Sequence, residues 1–252
     1  MPETHRTLVL SDLHIPYHDR HAWDLTLAIV GYVKPDHVCL AGDVIDAYML
    51  SLFDRDPNRY ADGGLQEELD QWRRMARMLR SETGDAGRMT FLPGNHEDRL
   101  RRYIWRHPEL HGIRALELPM LMDLESYGIE YHEYEISLLP SLIVRHGRIV
   151  RKHSGMSAKA ELEHEKYAVS TITGHTHRLG SHYARTRRGV VKAMENGCLC
   201  DLEPEYVRHP DWHHGCTLVT HWGKDAFHAD EVPYLGEGKR IKAMVLGNEV
   251  RP

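Results

Sequence analysis

The chain has 252 residues, long enough to bury a core without disulfide staples, and its four cysteines (Cys39, Cys198, Cys200, Cys216) lack C-x-x-C spacing and read as free thiols. Charged residues make up 27% with a formal net charge of −5, which excludes a generally basic nucleic-acid binder and leaves phosphate contacts to local arginines or a metal. No basic-plus-apolar leader and no apolar run of membrane-spanning length occur, so a cytoplasmic protein without a membrane partner is expected.

The first predicted strand, over 7–14, is apolar through Leu10 and then runs into Asp12 and His14. The second, over 37–46, runs into Gly42, Asp43 and Asp46. A helix follows over 65–81. Its Leu65, Leu69, Trp72, Ala76 and Leu79 share one face, leaving Arg73, Arg74, Arg77 and Arg80 mostly off it as a solvated surface. The third strand, over 89–98, leads into Gly94, Asn95 and His96.

The segment 99–107 then mixes four arginines with Tyr103 and Trp105. It reads either as an amphipathic helix with Leu100, Tyr103 and Ile104 inward, or as a strand-binding, base-stacking surface. The fourth strand, over 141–147, ends at His146 and Gly147. A second helix is predicted over 157–167 with Ser157 as N-cap. The fifth strand, over 169–177, ends in G-H-T-H, carrying His175 and His177. Later strands are expected at 190–194 and 216–222. The turn at 185–188 is either a solvated tip or a contact for a phosphate backbone. With no repeat and no Gly, Pro or Ser linker, the chain is expected to be one domain over 1–252, with a motif core over about 7–200 and C-terminal strands and a tail over 201–252.

Strands whose C-terminal ends all carry polar residues predict a sheet with one functional edge. Each motif alone is weak, since a chain with 20 histidines makes His-x-His cheap. The ordered set D-x-H, G-D-x-x-D, G-N-H-E, H-G, G-H-T-H, each after a predicted strand, is not. Carboxylate and imidazole donors without thiolate suit divalent manganese, iron, zinc or nickel. On extended backbone, side chains two apart point the same way, so Asp12 with His14 and His175 with His177 can face one cavity. Glycines before Asp43, Asn95 and His175 are expected to allow tight turns there.

In this ordered set the chain resembles the calcineurin-like metallophosphoesterases over about residues 7 to 200. The resemblance implies an α/β fold, a four-layer αββα sandwich of two packed mixed β-sheets flanked by helices. It implies two divalent metal ions, manganese first. Asp12, His14 and His177 would hold one metal, Asp43 would bridge, and Asn95, His146 and His175 would complete the second. His153 is the alternative to His146. His96 would donate a proton to the leaving group. Asp46 would hydrogen-bond that histidine, unless it serves only as a loop cap.

The activity so implied is hydrolysis of a phosphate-ester substrate by metal-activated water, on nucleotides or single-stranded nucleic-acid ends. Protein phosphatases of the superfamily carry an arginine where this chain has Ala47, which argues against that branch. A protein phosphatase and a non-catalytic scaffold of the same fold remain the alternatives.

Overall fold

The structure, a computed structural model, describes residues 4–52, 63–164, 169–187, 189–204, 207 and 209–252. Its strands are β1 (Thr4–Leu10), β2 (His37–Leu40), β3 (Arg88–Phe91), β4 (Ile129–Tyr131), β5 (Ile136–Leu139), β6 (Leu142–Arg145), β7 (Ser170–Thr173), β8 (Leu179–Thr186), β9 (Gly189–Asn196), β10 (Gly215–Trp222), β11 (Ala226–Leu235), β12 (Lys242–Val245) and β13 (Asn248–Val250). The α-helices are α1 (Arg20–Val33), α2 (Gly64–Thr83), α3 (Asp98–Arg106), α4 (Leu118–Leu121) and α5 (Met156–His164).

An eight-stranded sheet runs β13-β12-β11-β10-β1-β2-β3-β4, and a five-stranded sheet runs β5-β6-β7-β9-β8. Both are mixed. β1 to β4 are parallel, with β10 antiparallel on the free side of β1. In the second sheet β6, β7 and β9 are parallel between antiparallel edges. The two sheets pack face to face through Val9, Cys39 and Leu92 on one side and Val144, Ile172 and Met194 on the other. On the outer face of the larger sheet, Leu25 and Ile29 of α1 and Trp72 and Leu79 of α2 cover Leu8, Leu10 and Phe91. On the outer face of the smaller sheet, Ala158 and Leu162 of α5 meet Val191 and Ala193. The layers are thus α, β, β, α, as expected. This burial of apolar area from both sides of each sheet is what drives the assembly.

α1 was not assigned from the motifs. Its signals are present: the Asp19 side chain accepts the Ala22 N–H at 2.7 Å as an N-cap, and buried residues recur at helical spacing from Ala22 to Val33. On α2 the expected inner face is correct from Leu69 to Leu79 and also takes in Glu68 and Met75. The basic face is not simply solvated. Arg80 donates to the carbonyls of Gly84, Gly87, Tyr127 and Gly128, and Arg73 donates to that of Leu121. These two arginines tie α2 to the segment before β4.

Ser157 is not the cap of α5. It lies inside the helix, which starts at Met156, and its hydroxyl accepts the Arg151 N–H at 2.9 Å. Residues 165–167 of the expected helix, and Arg188 of the expected turn, fall outside the described residues. All four cysteines are free and buried. Among the described residues no helix is long and apolar enough to cross a membrane.

Candidate active site

The C-terminal ends of β1, β2 and β3 in one sheet and of β6 and β7 in the other open onto the same edge of the sandwich. Asp12, His14, Asp43, Asn95, His146, His175 and His177 follow those five ends. The side chains do not converge by the route expected. Asp12, His14, Asp43, His175 and His177 all have left-handed backbone, with φ of 56°, 50°, 51°, 70° and 59°. Such conformations cost non-glycine residues roughly 1–3 kcal/mol each and persist only where surrounding contacts hold them. The pairs therefore sit on turns beyond the strands rather than on extended backbone, and the turns aim the rings.

The glycines also differ from expectation. Gly42 does take a positive φ of +88°. Gly94 and Gly174 matter for space instead. A Cβ on Gly94 would collide with Asp43 Oδ1, and one on Gly174 would lie 2.6 Å from Asp12 Oδ2.

Two foci result. Around the first, His14 Nε2 lies 3.0 Å from His177 Nε2, His177 Nε2 lies 3.4 Å from Asp12 Oδ1, and His14 Nε2 lies 3.7 Å from Asp43 Oδ2. Around the second, His146 Nε2 lies 3.1 Å from both Asp43 Oδ2 and Asn95 Oδ1, and the His175 ring stands edge-on to the His146 ring at 5.2 Å. Donor atoms of Asp43, His146 and His175 all fall within 4.8 Å of one another. Asp43 faces both foci. His146 Nδ1–H donates to the Ala41 carbonyl at 2.9 Å, which leaves Nε2 free to face the centre. His153 is exposed.

The pocket demands positive charge. Asp12 and Asp43 are 0% and 1% exposed. Burial pushes both carboxyls up, but the facing imidazoles pull them below the usual carboxylate range. Burial alone would push His146 down, yet the Asp43 charge and hydrogen bond hold it up to about 10. His14 goes the other way. Burial, reinforced by His96, lowers it to about 4, so it is a neutral donor at pH 7. Buried carboxylates that recruit a proton onto a neighbouring imidazole, beside neutral imidazoles, form a donor set that fits a divalent cation.

His96 sits against this cluster, its ring edge-on to His14 at 4.3 Å. Its Nδ1 lies 2.5 Å from Asp46 Oδ1, and its backbone N–H donates to Asp43 Oδ1 at 2.8 Å. Burial lowers its pKa, but the Asp43 charge and the Asp46 contact outweigh that and raise it. Arg99 Nη2 lies 3.1 Å from His96 Nε2, to which it can donate only while that ring is neutral, and Nη1 donates to the Asp46 carbonyl at 2.6 Å. A guanidinium beside Nε2 repels a dication there. His96 is thereby better placed to handle a proton than to bind metal, although its ring also lies within reach of His14 and Asp43.

Three contributors had no part in the site as read from the sequence. Glu97, 2% exposed, accepts four backbone N–H groups: Val44 and Ile45 on Oε1, Asp43 and Gly94 on Oε2. It ties the Asp43 turn to the Gly94 turn. Its signal was the glutamate of G-N-H-E. Arg99 lies three residues after His96, the spacing of neighbours on one helical face, although the helix itself starts only at Asp98. Cys200 Sγ lies 3.6 Å from His177 Nδ1 and within 4.8 Å of a ring nitrogen of His14, a thiol beside the first focus that nothing in the sequence marked.

A fold of two stacked mixed sheets whose strand ends gather carboxylates and imidazoles defines a metallophosphoesterase-type protein. The sequence profile described as "Calcineurin-like phosphoesterase" matches residues 5–230, and the chain belongs to that family. It is similar to the Gene 54 protein of Mycobacterium phage L5, 24% identical over 230 residues, and to that of Mycobacterium phage D29, 25% identical over 238 residues. Each alignment covers 85% of this chain and 88% of the relative. Among solved structures it is similar to Vps29 of Cryptosporidium parvum, with a TM-score of 0.46 and 15% identity over 98% of this chain and 94% of that one. Vps29 of Chaetomium thermophilum aligns with a TM-score of 0.47 and 10% identity over 98% of this chain and 100% of that one.

Proposed function

We propose that this protein is a metal-dependent phosphoesterase that uses two divalent cations, manganese ahead of iron, zinc or nickel, to hydrolyse esters of nucleotides or nucleic-acid ends. The observation that carries the reading is the double focus around Asp43, with the His96–Asp46 pair at its rim. Asp12, His14 and His177 would hold one cation and Asn95, His146 and His175 the other, with Asp43 reaching both. When bound, the cations ionise water near neutral pH and offset charge on the phosphate oxygens.

The chain's own groups do the rest. Asp46 holds the His96 ring by Nδ1 and favours its charged form, so Nε2, once protonated and released from its contact with Arg99, can give a proton to the departing ester oxygen. Arg99, whose Nη2 lies 3.1 Å from that nitrogen, keeps a cation close by, where leaving-group charge develops. It also supplies the guanidinium that position 47 lacks. Glu97 holds the Asp43 and Gly94 turns in register, so donors from separate strands keep their spacing.

The test is a panel on protein loaded with each metal: p-nitrophenyl phosphate, bis-p-nitrophenyl phosphate, a 2′,3′-cyclic nucleotide, single-stranded DNA and a phosphopeptide. Turnover that favours the diester, nucleotide or DNA supports the reading. A preference for the peptide would move the protein to the phosphatase alternative. Silence on every substrate, with metal bound by elemental analysis, would leave only a scaffold. His96→Ala is expected to keep its metal and lose most turnover on poor leaving groups. Parallel loss of metal would make His96 a ligand instead.

A further inference from the structure

A cavity of about 1150 Å³ opens between α3, the segment that follows it and the strands beneath. Asn95, His146 and Gly147 line it at the end that meets the second focus. Trp105 and Tyr134 also line it and are 65% and 71% exposed. Leu100, Ile104 and Tyr131 add apolar wall. This explains an odd feature of α3. It is amphipathic in sequence, yet none of its residues is fully buried. Its apolar side faces the cavity rather than the core. Arg101 lies over the Trp105 ring at 5.1 Å.

Small-molecule pockets run to roughly 300–1,000 Å³, so this one has room for more than one nucleotide. Its charge narrows the occupant. Arg101 pairs with Asp98 and approaches Glu133, Arg102 pairs with Asp98 at 2.7 Å, and Arg145 faces Glu161 at 3.7 Å. Glu117 and Glu135 line it as well. Among the described residues the Arg148 guanidinium alone of the lining arginines forms no ion pair, although its backbone N–H donates to Glu161. Such a groove does not track a duplex backbone by charge. It offers aromatic and apolar faces, which stack bases with little regard to sequence.

We propose that this cavity is the subsite for the unpaired bases of a single-stranded nucleic-acid end whose scissile phosphate lies at the Asp43 cluster. The proposal rests on the phosphoesterase reading above and adds where the strand lies and what holds it. Stacking carries the affinity, and about one free arginine meets the backbone. The logarithm of affinity should then fall against the logarithm of salt with a slope near −0.7, far shallower than for a basic trough.

The experiment compares Trp105→Ala and Tyr134→Ala with Tyr183→Ala, an exposed tyrosine on β8 of the other sheet. Hexathymidylate is the strand probe, and bis-p-nitrophenyl phosphate is the ester without bases. Both cavity variants should raise KM for hexathymidylate about tenfold, leave kcat/KM on the small diester within about twofold, and leave metal content intact. The Tyr183 variant should leave all three unchanged. Fluorescence anisotropy of labelled hexathymidylate with metal-free protein gives an arm free of turnover, and Kd should rise by a similar factor. Unchanged KM and Kd, or equal losses on both substrates, would overturn the subsite while the phosphoesterase reading stands. A wild-type protein silent on both substrates would sink that reading instead, and the anisotropy would still decide the cavity.

Discussion

Replacing Glu97 by glutamine tests whether the metal-ligand turns are held by a single buried carboxylate. Both oxygens of Glu97 are acceptors, each taking two backbone N–H groups at 2.7–3.1 Å. Glutamine keeps one acceptor oxygen and puts an NH2 where the other stood. Two buried N–H groups then face a donor. Each unsatisfied group costs about 1–3 kcal/mol, so the gross loss is about 2–6 kcal/mol. Part is returned, because burial and the nearby Asp43 charge push the Glu97 carboxyl up, and the neutral amide removes that strain. A net loss of about 2–4 kcal/mol is expected, a large share of the ~5–15 kcal/mol typical of whole domains. Urea unfolding in the presence of a chelator measures it free of metal linkage. Elemental analysis after reloading should show reduced metal, because the Asp43 turn has lost its anchor. A loss below about 1 kcal/mol with full metal content would refute the reasoning.

Three further outcomes follow from the same geometry. Burial and the Asp46 charge raise the Glu68 carboxyl to about 8, so the folded protein keeps a proton there that the unfolded chain releases above its ordinary value. Stability should therefore fall as pH rises from about 4.5 to 8, by no more than about 5 kcal/mol, and Glu68→Gln should flatten that fall in pH-dependent unfolding. An unchanged slope would show Glu68 to be ionised throughout. Second, His146 is held protonated by Asp43 when no cation is bound, so loading metal must expel that proton. Apparent affinity should rise about tenfold per pH unit between roughly pH 6 and 9, with about one proton released in calorimetry across buffers. Affinity independent of pH would remove His146 from the ligand set. Third, Arg99→Ala should lower kcat about 10²-fold on esters with poor leaving groups and far less on p-nitrophenyl esters. Equal loss on both would reduce Arg99 to a support for Asp46.

The residues that meet at the site were legible in the chain because each set of metal donors follows a short apolar strand and the sets recur in order. Position after a strand end is a local property, and so the D-x-H, G-D-x-x-D, G-N-H-E and G-H-T-H groups could be found one at a time. The two-sheet architecture was reached only through the family resemblance, since strand periodicity does not say which strands share a sheet. α1 was missed although its cap and apolar spacing were there to read.

Other features depend on contacts between distant segments. The left-handed turns at Asp12, His14, Asp43, His175 and His177 are unfavourable locally and are held by bonds across the fold, such as His175 N–H to Asp12 Oδ1 at 3.0 Å. Glu97 has a role only because two strand-end turns bring unpaired N–H groups to one buried point. The inner side of α3 read as core or as groove, since apolar periodicity records that a face avoids water and not what covers it. Packing alone decides that, and here it leaves the face of α3 open onto a cavity beside the Asp43 cluster.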